Sequence, residues 1–222
     1  ILNAADVDIT DNTDSVGIQG TVTGDLTLTA NGTSASNVIN NPGTLIVSGN
    51  AEFIANDNQS IDLSNSNNSF TNDPDFTAVS GRLNNISITD ITDLQLQNGL
   101  DIRGDLTANA SSVMFQNTSI GGNLYTTANS TINQSGGRTI TVAGVSTLNG
   151  TSIDFTNSGN DFQSDVTVTN TNATVSLRDD TGGISLGSTA NAFTSADLNV
   201  ESNGGNITQN NSITTGIAIF DS

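Results

Sequence analysis

The sequence predicts an all-β protein with the architecture of a parallel β-helix (β-solenoid), in which each turn of the chain stacks on the turn below it. Three observations lead to this fold class. Pairs of apolar residues separated by one polar residue recur along the whole chain, the apolar spacing of an amphipathic helix is missing, and short motifs recur at irregular offsets. Tandem immunoglobulin-like β-sandwiches are the alternative.

Short strands are predicted wherever apolar and polar residues alternate. Representative pairs are Leu26/Leu28, Ile86/Ile88, Ile153/Phe155 and Leu198/Val200. The residues between such pairs are mostly Asn, Gly, Asp and Ser, which favour tight turns. Helix-forming residues are scarce, with two Glu, one Met and no Lys, so we predict no helix.

The composition indicates a folded chain with a thin core. The protein has 222 residues and a formal net charge of −18, yet only 12% of its residues are charged and 33% are hydrophobic. A β-solenoid fits this composition, because its apolar side chains need to fill only a narrow column between the stacked strands. Outward Thr suits the exposed strand positions.

Several kinds of chemistry are excluded by residues that the sequence lacks. It contains no His and no Cys, which excludes Cys/His zinc sites, Ser-His-Asp catalysis and disulfides. Its four basic residues are all Arg, so the negative net charge would repel nucleic acid, which we do not expect as a partner. No apolar run approaches the ~20 residues of a membrane span, so we expect no membrane insertion.

Internal repeats divide the chain. Residues 60–70 and 152–162 share seven of eleven positions, and a looser copy lies at 183–193. A second motif, Gly-Asp/Asn-Leu, occurs at 24–26, 104–106 and 122–124. We therefore predict one continuous β-solenoid segment, residues 1–222, with sequence repeats near 5–82, 83–172 and a truncated 173–222.

The irregular repeat offsets favour a solenoid over a sandwich. Two Gly-Asp/Asn-Leu motifs lie 18 residues apart, at Gly104 and Gly122, which suits one coil made of three short strands and three turns. A solenoid can gain or lose a whole coil because each coil contacts only its neighbours. Asn residues at equivalent turns are expected to stack and share side-chain hydrogen bonds, as Asn ladders do in cross-β structures.

The terminal segments are apolar and resemble no polar capping repeat. Ile1-Leu2 opens the sequence, and residues 217–220 read Ile-Ala-Ile-Phe. Open solenoid ends expose backbone donors and acceptors that template association. We therefore expect neighbouring solenoid segments or identical subunits as end-to-end partners, and any secretion signal to lie upstream or to have been removed.

The repeat motifs resemble those of bacterial surface exoproteins, the filamentous-haemagglutinin-like adhesins built from β-strand repeats. The likeness lies in residues 24–32, 152–162 and 205–209, which read Gly-Asp-Leu-Thr-Leu-Thr-Ala-Asn-Gly, Ser-Ile-Asp-Phe through Asn-Asp-Phe, and Gly-Asn-Ile-Thr-Gln. It covers nearly the whole chain. The resemblance implies a right-handed β-helical rod that is secreted to the bacterial cell surface and serves in adhesion, as a stalk, or as the carrier of a distal domain.

Three functions follow from these expectations. The first is a non-enzymatic structural or adhesive segment of a secreted cell-surface exoprotein, with a host or surface glycan or a protein receptor as partner. The second is a protomer of an extracellular filament or sheath that assembles end to end. The third is a carbohydrate-binding or polysaccharide-active β-helix, since β-helices also include pectin-cleaving enzymes.

We predict no catalytic residue, no metal site and no cofactor. Asn12-Thr13-Asp14 and Arg178-Asp179-Asp180 are superficially similar to carboxylate elements of polygalacturonases, but the His of such sites is missing. Calcium is a weaker alternative, with oxygen ligands from the pairs Asp11/Asp14, Asp73/Asp75 and Asp179/Asp180. The favoured interpretation is that acidic turn residues keep a β surface soluble and block lateral stacking.

Overall fold

The computed structural model describes residues 2–32 and 37–222, and within them the chain forms 31 β-strands and no helix. Ile1 of the predicted apolar start lies outside the described residues. All strand pairs in the described residues that belong to named strands are parallel, for example Leu106 with Leu124 and Ile153 with Val175. The β-solenoid prediction is therefore confirmed, and the sandwich alternative is wrong because its sheets would be antiparallel.

The strands of the first part of the chain are short. They are β1 (Leu2–Ala4), β2 (Val7–Asp11), β3 (Val16–Gly17), β4 (Gly20–Val22), β5 (Leu26–Ala30), β6 (Asn37–Asn40), β7 (Leu45–Val47), β8 (Ala51–Ala55), β9 (Ser60–Leu63), β10 (Ser69–Phe70), β11 (Asp75–Ala78) and β12 (Ile86–Thr89).

The remaining strands have the same character. They are β13 (Leu94–Gln95), β14 (Leu100–Ile102), β15 (Leu106–Ala110), β16 (Val113–Phe115), β17 (Thr118–Ile120), β18 (Leu124–Ala128), β19 (Thr131–Gln134), β20 (Ile140–Val142), β21 (Ser146–Asn149), β22 (Ser152–Phe155), β23 (Asp161–Phe162), β24 (Asp165–Val168), β25 (Thr174–Asp179), β26 (Ile184–Leu186), β27 (Phe193–Thr194), β28 (Asp197–Ser202), β29 (Ile207–Gln209), β30 (Ile213–Thr214) and β31 (Ile217–Asp221).

These strands form six parallel sheets along the stack. Sheet 1 has the order β1-β4-β7-β10, sheet 2 β2-β5-β8-β11, and sheet 3 β3-β6-β9-β12-β15-β18-β21-β24-β26-β29. Sheet 4 has the order β13-β16-β19-β22-β25-β28-β31, sheet 5 β14-β17-β20-β23, and sheet 6 β27-β30. Each coil contributes one strand to sheet 3, whose ten strands run through the stack.

The faces of the solenoid change along its length. Sheets 1 and 2 end at β10 and β11, and sheets 4 and 5 begin at β13 and β14. Sheet 5 ends at β23, and sheet 6 begins at β27. Coil length varies accordingly: Leu106 pairs with Leu124, 18 residues on, whereas Gly20 pairs with Leu45, 25 residues on. The predicted coil of 18 residues is confirmed at the two Gly-Asp/Asn-Leu motifs, and the right-handed winding expected of parallel crossovers stays a prediction.

A single column of apolar side chains fills the interior. Inward positions alternate with outward ones along each strand, as in β5, where Leu26, Leu28 and Ala30 are buried. Two groups of Phe rings lie in this column, one made of Phe53, Phe70 and Phe76, the other of Phe115, Phe155 and Phe162. Within residues 2–32 and 37–222, no helix is long and apolar enough to span a membrane.

Strand β31 differs from the others because both of its faces are apolar and exposed. Ala218 and Phe220 pair with the core residues Leu198 and Val200, whereas Ile217 and Ile219 face outward and are 63% and 59% exposed. The predicted apolar character of this segment is therefore seen in the fold.

Candidate functional site

The Gly-Asp/Asn-Leu motif forms ladders of side chains between successive coils, at the corner before sheet 2 in the first coils and at the corner before sheet 3 further along the chain. Asp105 Oδ1 accepts a hydrogen bond from the backbone N–H of Asn123 at 2.7 Å, and Asn123 Oδ1 accepts one from the N–H of Val145 at 2.9 Å. In the first coils Asp25 Oδ1 does the same for the N–H of Asn50 at 2.7 Å. The motif therefore binds each coil to the next one.

Glycine is required in this ladder because the coils approach each other closely at the corner. The N–H of Gly122 donates to the carbonyl of Gly104 at 2.9 Å, and a Cβ on Gly122 would lie 2.6 Å from the Gly104 carbonyl carbon. Such a contact is too close for any side chain. The sequence motif thus marks a position where the backbones of two coils approach each other closely.

Asn side chains form further contacts between coils on the surface. Asn31 Nδ2 donates to Asn12 Oδ1 at 2.8 Å, and Asn117 Nδ2 donates to Asn98 Oδ1 at 2.9 Å. The predicted stacking of turn Asn residues is confirmed by these pairs. The Asn12 carboxamide of the polygalacturonase-like triplet is thereby part of a structural contact.

A buried polar corner, which we call the first corner, consists of Asn41, Asn68 and Asp90 from three successive coils. Asn41 Nδ2 donates to Asn68 Oδ1 at 2.5 Å, which also accepts the N–H of Leu45 at 3.0 Å. Asn68 Nδ2 donates to the carbonyl of Leu63 at 2.8 Å. Asp90, one coil further on, accepts the N–H of its own neighbour Thr92 at 2.9 Å, and all three polar side chains are buried.

A second corner has the same design and consists of Gln134, Asn160 and Asp179. The amides of Gln134 and Asn160 bond in both directions, at 2.7 and 2.9 Å. Asn160 Oδ1 accepts the N–H of Ile140 at 3.0 Å, and Asn160 Nδ2 donates to the carbonyl of Phe155 at 3.0 Å. These corners explain the repeat of residues 60–70 at 152–162, because each copy supplies the central Asn.

The Arg178-Asp179-Asp180 triplet is divided between the core and the surface. Asp179 is fully buried, and its two oxygens accept backbone N–H groups of Phe162 and Thr181 at 2.7 and 2.9 Å. Asp180 instead bonds to Arg178 Nε at 2.8 Å on the surface. The two carboxylates therefore serve different structural contacts.

The environments of these carboxylates shift their pKa values in opposite directions. Burial raises the pKa of Asp179 above its ordinary value, against the backbone hydrogen bonds of Phe162, Thr181 and Gly183 that lower it. Burial also raises the pKa of Asp90. The hydrogen bond from Arg178, followed by those from Asn203 and the Gly159 N–H, lowers the pKa of Asp180 to about 2.

The other acidic pairs considered for calcium also have local structural contacts. Asp11 Oδ1 accepts the N–H of Thr13 at 2.7 Å, and Asp73 Oδ1 accepts the N–H of Gln95 at 2.7 Å. No group of three or more acidic side chains within residues 2–32 and 37–222 is arranged to hold a metal ion. The sequence expectation that the chain binds no metal stays a prediction.

Two adjoining grooves lie beside the end of sheet 5. One, of about 280 Å³, is lined by Gln163, Ser164, Ser185, Asn206 and Thr208 together with buried apolar residues and glycines. The other, of about 330 Å³, adds Asp161, whose Oδ2 accepts Gln163 Nε2 at 2.7 Å. These linings offer hydrogen bonds and one carboxylate, whereas glycoside hydrolysis generally uses two facing carboxylates.

Sequence reasoning missed the buried acids. In the sequence Asp90 looks like any other acidic turn residue. It directly follows the strand Ile86–Thr89, and Thr92 comes two residues later, just as Thr181 comes two residues after Asp179. The shared signal is Asp-x-Thr about one coil after an Asn-x-Phe segment. That signal is weak by itself, because Asp-x-Thr also occurs where the Asp side chain is exposed, as in Asp154-Phe155-Thr156.

Comparison with known proteins identifies one family that matches the chain. No curated protein and no solved structure matched the chain. A family model described as repeats of unknown function (DUF5649) matches residues 4–77 and again residues 83–169, and the gap between the two matches falls where sheets 1 and 2 give way to sheets 4 and 5. Because these matches cover well over half of the sequence, the chain belongs to this family of repeats.

Proposed function

We propose that this chain is a non-enzymatic structural segment, a rod or stalk with an adhesive role, in a secreted exoprotein of the bacterial cell surface. The observation that carries the proposal is the use of polar side chains as ties between coils. Asp105, Asn123 and Asn160 all bond to neighbouring coils, so side chains that could form a site instead hold the stack together.

The physical properties of such a stack suit a rod. Each coil contacts only its neighbours, so length is set by the number of coils and not by a closed core. Ten strands of sheet 3 at ~4.8 Å spacing give a length on the order of 50 Å. The net charge of −18 keeps such a surface soluble and discourages lateral contact between rods.

Localisation and adhesion are tested in the source bacterium and with the purified chain. We expect antibodies against the chain to label intact cells, and protease added outside the cells to remove that label. Beads coated with the chain are expected to bind host or neighbouring cells, with beads carrying an unrelated acidic β-solenoid as the control. Labelling that requires permeabilised cells would contradict the surface location.

The absence of enzymatic activity is tested with acidic and neutral polysaccharides in a reducing-sugar assay. We expect no release of reducing ends. Turnover that is abolished by Asp161→Asn, the carboxylate of the groove, or by Asp179→Asn would overturn the proposal. An unchanged rate in both variants would assign any activity to a contaminant.

A filament protomer is the second candidate, and strand β31 is the observation that favours it. One edge of β31 pairs with β28, and its outward residues Ile217 and Ile219 are exposed. A further coil from a second copy, stacked on β31, would pair its other edge and cover Phe220. Electron microscopy of the purified chain separates the candidates, since discrete rods support the stalk and long unbranched fibres support the filament.

A further inference from the structure

Three sheets of this solenoid stop partway along the stack, at β10, β11 and β23. In a parallel strand, alternate residues direct their N–H and C=O groups toward the strand below and the strand above. Where no strand follows, the second set would be left open. Such an edge is a template on which a strand from another molecule can pair.

The edge of β11 is occupied at Phe76 by the side chain of Gln97 from the next coil. Phe76 donates its backbone N–H to Gln97 Oε1, and Gln97 Nε2 donates to the carbonyl of Phe76 at 2.9 Å. The carboxamide thereby makes both hydrogen bonds that the backbone of a following strand would make to Phe76.

The edge of β23 is occupied by Asp179. The N–H of Phe162 donates to Asp179 Oδ2 at 2.7 Å, and the N–H of Asp180 donates to the carbonyl of Asn160 at 2.9 Å. Asp179 is fixed by burial and by the N–H of Thr181 on its other oxygen. The strand edge is thus closed by a buried carboxylate.

The edge of β10 is closed by the corresponding residues of the first corner. The N–H of Phe70 faces Asp90 Oδ1 at 3.5 Å, a long hydrogen bond, and the N–H of Ile91 donates to the carbonyl of Asn68 at 2.9 Å. The hydroxyl of Thr92 lies 3.3 Å from the carbonyl of Phe70. All three edges therefore have the backbone N–H of a buried Phe bonded to a side chain of the next coil.

We propose that Asp90, Gln97 and Asp179 are edge caps, which let the solenoid end one face and begin another while keeping the interrupted sheets closed to strand addition by a second copy of this chain. A carboxylate accepts hydrogen bonds and donates none, so it bonds the edge N–H and repels the carbonyl oxygens of an incoming strand. This role goes beyond the proposed rod function and does not depend on adhesion.

The Gln97 cap is tested with Gln97→Ala, and Gln163→Ala is the matched control because Gln163 bonds to Asp161 and to no strand edge. In Gln97→Ala we expect amide hydrogen exchange at Phe76 to rise about tenfold, the change that loss of one net hydrogen bond produces. Sedimentation velocity is expected to show concentration-dependent dimers that wild type and Gln163→Ala lack.

The Asp179 cap is tested with Asp179→Ala against Asp154→Ala. Asp154 makes the same local bond to the N–H two residues on, at Thr156, but its exposed side chain lies on β22, a strand paired on both sides and therefore not at an interrupted edge. We expect faster exchange at Phe162 and self-association in Asp179→Ala only. Folding is checked for each variant by circular dichroism and by its unfolding midpoint.

Wild-type protein supplies a test that no misfolded variant can obscure. We expect the amides of Phe76 and Phe162 to exchange slowly, although no strand lies beyond them, and Gln97→Glu, which keeps the acceptor, to preserve the protection of Phe76. Rapid exchange at both amides in wild type overturns the proposal. Folded Gln97→Ala and Asp179→Ala that stay monomeric with wild-type exchange also overturn it.

Discussion

The first and second corners share a design but differ in how completely their polar groups are bonded. In the second corner Gln134 and Asn160 exchange two hydrogen bonds, and both oxygens of Asp179 accept a backbone N–H. In the first corner Asn41 donates to Asn68 in one direction only, and Asp90 Oδ2 is buried without a hydrogen-bond partner among the described residues.

The comparison also shows that the repeated motif specifies a corner and not a face. The copy at 60–70 places its first strand, β9, in sheet 3 and its second, β10, in sheet 1. The copy at 152–162 places β22 in sheet 4 and β23 in sheet 5. In both copies the buried Asn accepts a backbone N–H of the preceding coil and donates to the carbonyl five residues before it, so the motif can be reused wherever a coil needs this bend.

The largest expected effect comes from removing the central amides. Asn160→Ala removes the hydrogen-bond partner of the Ile140 N–H, the Phe155 carbonyl and Gln134 Oε1, so we expect a loss of about 4 kcal/mol in the free energy of unfolding, and about 3 kcal/mol for Asn68→Ala. Urea unfolding monitored by circular dichroism measures both. Asn67→Ala, on an exposed side chain of the same turn, is the control and should change stability by less than about 0.5 kcal/mol.

The two buried acids are expected to respond differently to conversion into the amide. In Asp179→Asn the side-chain NH2 group must face one of the two backbone N–H donors. This should lower the free energy of unfolding by about 1–2 kcal/mol at pH 7. Asp90→Asn can keep its oxygen on Thr92 and loses a buried charge, so its stability should equal or exceed that of wild type. Equal losses in the two variants would show that the corners are not as different as their hydrogen bonds indicate.

A smaller change is expected from making the second corner resemble the first. Gln134→Asn shortens the side chain that bonds Asn160 in both directions, and the loss of one hydrogen bond should lower the free energy of unfolding by about 1 kcal/mol. Gln163→Asn, on an exposed side chain, is the control. A Gln134→Asn protein as stable as wild type would mean that the two-way pairing contributes nothing.

The smallest effect is a dependence of stability on pH. The folded pKa values of Asp90 and Asp179 are raised above the ordinary value of 3.8. Their contribution to stability is therefore full below pH 3.8 and is lost as the pH rises through the folded pKa values. Asp180, with its folded pKa lowered to about 2, contributes above 3.8 and loses that contribution as pH falls through about 2. Stability from these groups should therefore peak near pH 4.

Melting temperatures measured between pH 2 and pH 8 test this dependence. Asp180→Asn should reduce the fall of the melting temperature below pH 4, and Asp90→Asn should reduce its decline above pH 4, each by on the order of 2 °C. An Asn67→Ala protein, which changes an exposed side chain that does not titrate, is the control and should follow the wild-type profile. A wild-type slope below pH 4 that survives in Asp180→Asn would contradict the assignment of that limb to Asp180.

Much of the repeat pattern could be recognised in the sequence because it is local. Alternation at Leu26/Leu28 and Ile153/Phe155 reflects inward side chains, and the Gly104 and Gly122 motifs mark the positions where backbones touch. The partners of Asp90 and Asp179 could not be recognised in this way. An acid in a turn is exposed or buried according to what the next coil places over it, and that depends on the summed lengths of all intervening turns.

The sequence by itself determined that strands form, where the chain bends, and that equivalent residues stack from coil to coil, because each of these follows from side-chain spacing and turn chemistry within a few residues. Only the tertiary structure decided where a face ends, which acids enter the core, and how the N–H groups of Phe76 and Phe162 are bonded. The physical reason is that hydrogen bonding between coils joins residues about 20 positions apart, so a difference of a few residues in one turn changes which side chain meets which strand.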